Sequence, residues 1–286
     1  MPSAKYFNYL RTDRMSHVWC PGCGNGIIMK SFIEAANKLQ LDKNKVAVVS
    51  GIGCSSRVTG YLDFNTMHTL HGRAIAFATG VKLARPDFDV VVMGGDGDML
   101  AIGGNHFIHA CRRNMDITVI LFNNSIYGMT GGQYSPMTPS DSMASTAPYG
   151  NLENQFDPVE LAITSGATYV ARSTVYHFMQ SAKYIENALK HKGMSVVEIA
   201  TNCHTYFGRY NNMPKPYQMQ EYFKNNSITL NKAKDMSEEE LQDKIVIGEF
   251  VNKEKRDYIS EYQKLQKRFS EGGDEEWIYQ YLILEL

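Results

Sequence analysis

Four cysteines and one acidic motif are the residues whose types and spacing can do chemistry. Cys20 and Cys23 form a C-x2-C pair in WCPGC, whereas Cys54 and Cys203 are single and far apart in the chain. Thiolates serve as redox groups and as soft metal ligands. The set therefore admits a redox dithiol, a zinc site or an iron–sulfur site. Hard-ligand chemistry is offered by GGDGD, where Gly95, Asp96, Gly97 and Asp98 follow an apolar run, and by Asn123-Asn124 at the end of the next run. Magnesium takes oxygen ligands, few of them from protein, and fills its shell with phosphate and water. Asp96 offers a carboxylate, Asn124 an amide oxygen and Ile126 a main-chain carbonyl. Gly128, Met129 and Thr130 then offer N–H groups and a hydroxyl to a diphosphate.

The dithiol reading does not fit its surroundings. LRTDRMSH, ahead of the pair, is too polar for the core strand that precedes a thioredoxin C-x2-C, and Cys54 and Cys203 have no part in that scheme. Cys111, in FIHACRRN, reads as a small buried side chain. Zinc and a [4Fe–4S] cluster both accept four thiolates. Structural zinc usually draws on two close pairs, so two remote single cysteines favour a cluster set into the fold, with zinc left open. His71, in LHGRA, reads as a hydrogen-bonding partner of a diphosphate or a substrate, against a histidine satisfied by backbone at a helix start. Ser55 and Ser56, next to Cys54, are assigned to the cofactor. His106 and His109 read as ordinary helix residues.

These residues must be positioned by something, and the hydrophobic pattern says what. Strands are expected at 46–53, 65–70, 89–95, 117–123, 167–173 and 195–201, with helices over 26–40, 73–84, 104–114, 158–166 and 176–190. This alternation predicts a doubly wound, mainly parallel α/β sheet of about six strands with helices on both faces. In such sheets ligands bind beyond the carboxyl ends of the strands. Cys54, His71, Gly95–Asp98, Asn123-Asn124 and Cys203 all follow strands, so all should share one edge. The Gly, Pro, Ser and Thr-rich connection 128–158 is long enough to be functional or an interface arm. Residues 1–210 are read as one domain. Residues 211–286 are read as a charged, helical extension contacting another subunit, with Ser237 and Glu240 as a capping box.

The totals exclude little but agree. The chain has 286 residues, 43% hydrophobic and 21% charged, with a net charge of -1, which gives no argument for nucleic acid or a membrane surface. No apolar run could span a bilayer, and MPSAKYFNYLRTDR has no signal-peptide core, so a cytoplasmic protein is expected. Five cysteines in such a chain suggest metal or catalytic roles rather than disulfides.

GDG followed by NN resembles the thiamine diphosphate motif. Together with WCPGCGNG, GIGCSSRVTGY, LHGRAIAFATGVKLA, GGDGDMLAIGGNH, ITVILFNNSIYGMTGGQ and NCHTY, it makes the chain similar to the β subunits of 2-oxoacid:ferredoxin oxidoreductases, over about residues 16–210. The resemblance implies a thiamine diphosphate-binding fold and oxidative decarboxylation of a 2-oxoacid with coenzyme A to acyl-CoA, CO2 and reduced ferredoxin. It places [4Fe–4S] ligands at Cys20, Cys23, Cys54 and Cys203, and Mg2+ ligands at Asp96, Asn124 and the Ile126 carbonyl. It also implies an α subunit with the pyrimidine-binding domain missing here, ferredoxin or flavodoxin as acceptor, and room for small γ or δ subunits. SSRVTGYLDF resembles the 2-oxoglutarate members, and Arg57 is read as the partner of a distal carboxylate, a role that suits a guanidinium. The alternatives are a non-redox two-chain thiamine-dependent decarboxylase, which would not need the cysteines, and a zinc-bearing structural subunit, which would not need GDG and NN.

Overall fold

The computed structural model describes residues 4–270. Its centre is one sheet in the order β2-β1-β3-β4-β6-β5-β8-β7. The first six strands are β1 (Val46–Ser50), β2 (Asn65–His68), β3 (Asp89–Gly95), β4 (Thr118–Asn123), β5 (Tyr169–Thr174) and β6 (Ser195–Ala200), all parallel. They match the six expected from sequence. The sheet has eight strands, however, because the charged extension adds β7 (Ser227–Thr229) and β8 (Ile245–Asn252). Strand β8 runs antiparallel to β5 and covers what would have been an open edge. The extension is therefore not helical throughout. Its capping box is present, with Ser237 accepting from the Glu240 N–H, but it opens a helix of only one turn, Glu238–Leu241. The expectation of a helical tail also covers residues 271–286, which lie outside the described residues.

Strict period-two burial explains why the central strands lack polar alternation. Val46 and Val48, Val91 and Met93, and Ile120 and Phe122 bury on one face. Their neighbours Ala47 and Val49, Val90 and Val92, and Val119 and Leu121 bury on the other. Both faces are covered, so every position is apolar. The first face receives α1 (Asn25–Leu39) and α5 (Phe178–Lys190), which pack on each other. The second receives α2 (Ala74–Ala84), α3 (Gly104–Arg112) and α4 (Pro158–Ser165). Helix α4 shows why a local sequence can be decisive. Asp157 caps the N–H groups of Val159 and Glu160, Pro158 sits in the first turn, and Gly166 closes the helix at φ 105°.

Beneath β4, β5 and β6 lies a buried ion network. Arg172 Nε donates to Glu198 at 2.6 Å and its Nη2 donates to Asp157 at 2.6 Å, while Asn123 Nδ2 donates to Glu198 at 2.7 Å. Arg172→Met should leave Glu198, 3% exposed, without its cation. A loss of about 3–5 kcal/mol is expected in urea unfolding of the isolated chain; a loss under about 1 kcal/mol, the range of exposed pairs, would refute the network's role.

Candidate active site

The carboxyl ends of the parallel strands do converge. Cys54, Ser55, His71, Gly95, Asp96, Gly97, Asp98, Asn124, Ile126, Gly128, Met129 and Thr130 line one cleft of about 140 Å³. That is well below the roughly 300–1,000 Å³ of a complete small-molecule site, as expected of half a site. Of the residues expected at the cofactor or the substrate carboxylate, two stand apart from it. Ser56 is fully buried, and its carbonyl accepts from Ser50 and Thr59, so its work is internal to the turn. Arg57 is exposed on the same turn, Ser55–Gly60, and does not line the cleft.

Asp96 begins a wide π turn at the end of β3 and is 2% exposed. No Lys, Arg or His pairs with it among the described residues. Burial pushes its carboxyl up to about 7, against hydrogen bonds from Ser135 and from the N–H groups of Gly97 and Asn124 that favour the anion. A buried carboxylate without a cation is costly, and a hard cation would relieve it. Asn123 and Asn124 divide their labour. Asn123 accepts from the Ser125 N–H at 3.1 Å and shapes the turn. Ser125 takes a left-handed φ of 58°, and the Asn124 amide oxygen accepts from the Ile126 N–H at 3.2 Å. The Ile126 carbonyl takes no hydrogen bond among the described residues. Asp96, Asn124 and Ile126 thus offer three oxygens of the kind magnesium takes.

Sequence reasoning missed the residues that join these parts. Ser135, on the long connection, donates to Asp96. The Ser135 N–H donates to Thr138 Oγ1 at 2.8 Å, and that hydroxyl donates to the Ser125 carbonyl at 2.6 Å. The connection therefore ties the GDG turn to the NN turn. Tyr127 donates to the Gly97 carbonyl at 3.2 Å, and a Cβ on Gly97 would lie 2.3 Å from its ring. Gly97 is needed because an aromatic ring packs on it. Ser135 carries no local signal in the sequence; Tyr127, between Ile126 and Gly128, had only its position.

Two of the cysteines meet this cleft at Gly128, where a Cβ would sit 3.5 Å from Cys54 Sγ, 3.7 Å from Cys203 Sγ and 3.9 Å from Asn124 Nδ2. The C-x2-C loop is fastened to both partners. Trp19 Nε1 donates to the Cys54 carbonyl at 2.6 Å, and Asn202 Nδ2 donates to the Gly22 carbonyl at 2.8 Å. Burial pushes the Cys23 thiol up to about 12 and the Cys54 thiol up to about 11, and neighbouring cysteines add to both shifts. Cys203 is raised for the same first reason. All four are free thiols, and Cys20 is the exposed one. As they stand, no three His, Cys, Asp or Glu side chains among the described residues are grouped closely enough to hold a metal ion. Cys111 lies on the buried face of α3, in the core of the second face of the sheet, as expected.

Fold and cleft together define a thiamine diphosphate-binding domain. Residues 51–199 match the family model of the thiamine pyrophosphate enzyme C-terminal TPP-binding domain. The chain is 56% identical over 257 residues to 2-oxoglutarate synthase subunit KorB of Methanocaldococcus jannaschii, covering 90% of this chain and 95% of that one. It is 48% identical over 273 residues to the KorB subunit of Archaeoglobus fulgidus, covering 96% and 98%. Among solved structures, the 2-oxoglutarate:ferredoxin oxidoreductase of Magnetococcus marinus, with 2-oxoglutarate, coenzyme A and succinyl-CoA bound, superposes with a TM-score of 0.83 at 34% identity, covering 99% of this chain and 96% of that one. The chain belongs to the β-subunit family of the 2-oxoacid:ferredoxin oxidoreductases.

Proposed function

We propose that this chain is the β subunit of a 2-oxoglutarate:ferredoxin oxidoreductase. With an α subunit, it would convert 2-oxoglutarate and coenzyme A to succinyl-CoA and CO2, passing two electrons singly to a ferredoxin or flavodoxin. The observation that carries this is the meeting of two donor sets at one glycine. Asp96, Asn124 and Ile126 line the same cleft as Gly128 and Cys54, and a Cβ on Gly128 would lie 3.5 Å from Cys54 Sγ, 3.7 Å from Cys203 Sγ and 3.9 Å from Asn124 Nδ2. Thiamine diphosphate supplies an electron sink at the 2-oxo carbon, and a [4Fe–4S] cluster supplies a one-electron outlet.

In this reading Asp96, Asn124 and the Ile126 carbonyl hold Mg2+, and Gly128, Met129 and Thr130 turn N–H groups toward the diphosphate. Cys20, Cys23, Cys54 and Cys203 ligate the cluster. The small cleft needs an α subunit to cover it and to set a carboxylate against the aminopyrimidine ring. The extension after residue 210 is assigned to subunit contact. Among the described residues no helix is long and apolar enough to cross a membrane, and we assign the complex to the cytoplasm.

The deciding experiment is anaerobic purification of the chain with its α subunit. A brown protein with about four irons per β chain that reduces a viologen only with both 2-oxoglutarate and coenzyme A is expected. A colourless complex holding one zinc, or one that binds thiamine diphosphate without iron, would overturn the proposal.

Arg57 tests the substrate. Its exposed position outside the cleft suits a substrate held at the subunit boundary. A charge-assisted pair is worth about 1.5–3 kcal/mol, so Arg57→Met should raise KM for 2-oxoglutarate about ten- to a hundredfold, with KM for coenzyme A unmoved. Equal KM values in the two enzymes would remove Arg57 from substrate binding.

A further inference from the structure

Asp98, expected to bind the cofactor, directs its hydrogen bonds elsewhere. Its side chain is 2% exposed. One oxygen, Oδ1, accepts from the Gly72 N–H at 2.7 Å, the Ile52 N–H at 3.2 Å and His71 Nδ1 at 2.6 Å. The other, Oδ2, is buried without a partner. It is boxed in by backbone, since a Cβ on Gly51 would lie 2.1 Å from it and one on Gly94 3.1 Å. The donors come from two other strand ends. Ile52 belongs to the loop that leads to Cys54, and Gly72 and His71 belong to the turn before α2.

An oxygen that already accepts two backbone N–H groups is an acceptor for His71 as well, so the imidazole proton must lie on Nδ1. Nε2 is then the ring nitrogen left for the cleft that His71 lines. The histidine side chain is 37% exposed, and its ring meets the Tyr127 ring edge-on at 6.1 Å. Its tautomer and its position are therefore set from behind.

We infer that Asp98 is a positioning residue and not a ligand of cofactor or metal: it locks His71 with Nδ1 protonated and Nε2 presented to the cleft, and it ties that ring to the Cys54 loop. The catalytic consequence rests on the proposed function; the lock itself does not. What the lock needs is an acceptor atom, not a charge. An amide oxygen in the place of Oδ1 keeps all three donors, whereas Asp98→Ala loses them, and a free imidazole then favours its proton on Nε2.

The test uses 15N-histidine labelling of the chain, beside kinetics of the complex with its α subunit. Wild type and Asp98→Asn should both show His71 protonated on Nδ1, and Asp98→Ala should show it on Nε2. In the complex Asp98→Asn should keep thiamine diphosphate affinity and kcat within about threefold, while Asp98→Ala should lose about a hundredfold in kcat, the scale of a misplaced acid–base group. His71→Gln combined with Asp98→Ala should be no slower than His71→Gln alone, as for residues acting through one another. If Asp98→Ala does not fold, Asp98→Asn decides. A hundredfold loss of cofactor affinity in Asp98→Asn, or a wild-type His71 protonated on Nε2, overturns the inference. A wild-type complex that binds no thiamine diphosphate sinks the proposed function instead, and the His71 signature still decides the lock.

Discussion

Replacing Asp96 by Asn should abolish cofactor loading and leave the cofactor-free chain at least as stable as before. The two halves of that expectation have the same cause. Asp96 is almost wholly buried and has no cationic partner among the described residues, so its charge is a burden until a cation arrives. Asn has the same shape, and its amide oxygen can still accept from Ser135. The cost falls on binding. A unit charge about 4 Å from another in a medium of effective dielectric about 20 is worth roughly 4 kcal/mol, about three orders of magnitude in affinity. Titration calorimetry of the complex with thiamine diphosphate and Mg2+ reads the loss, and a thermal melt of the cofactor-free chain reads the stability. Binding within tenfold of wild type would remove Asp96 as the metal ligand. A melt several degrees lower would make it a structural residue.

How much of this could be read from the chain follows from how local each signal is. The central strands were legible because burial on both faces makes them nearly unbroken apolar runs, as in Val46–Ser50 and Thr118–Asn123, whereas the largely exposed β2, Asn65–His68, had only its place in the alternation. The strand-end residues were legible because the topology puts them on one edge. Strand β8 was not, because Ile245–Asn252 is only partly buried and lies between the charged runs EEELQDK and KEKRD. Its identity as a strand comes from pairing with β5, a contact no local pattern contains. Ser135 was missed for a related reason: an irregular connection has no period, so nothing marks which hydroxyl will reach Asp96. Asp98 differs again. The motif named the residue, but only the geometry of Gly72, Ile52 and His71 separates a clamp from a ligand.

Cys54 carries the second large effect, because it alone of the four cysteines lines the cleft as well as facing the other thiols. Cys54→Ser in the anaerobically prepared complex should yield a colourless chain, iron falling from about four per chain to background. Acceptor reduction should fall with it. Thiamine diphosphate affinity should change by less than about threefold, since the oxygens of Asp96, Asn124 and Ile126 are untouched and one thiol contact is worth little. Burial explains why no other group replaces the thiolate: a buried hydroxyl ionises far less readily than a thiol, even one pushed up to about 11. Cys111→Ser is the matching control. That thiol packs inside the core of the second face of the sheet, so iron and activity should persist while stability falls by about 1–3 kcal/mol for burying a hydroxyl. Full iron content in Cys54→Ser would show that the cluster, if present, is held elsewhere. Loss of iron and of thiamine diphosphate together would mean that the two donor sets around Gly128 form one cooperative unit, which the separate bonding of the Asp96–Ser135–Thr138 chain and the Trp19–Cys54 contact argues against.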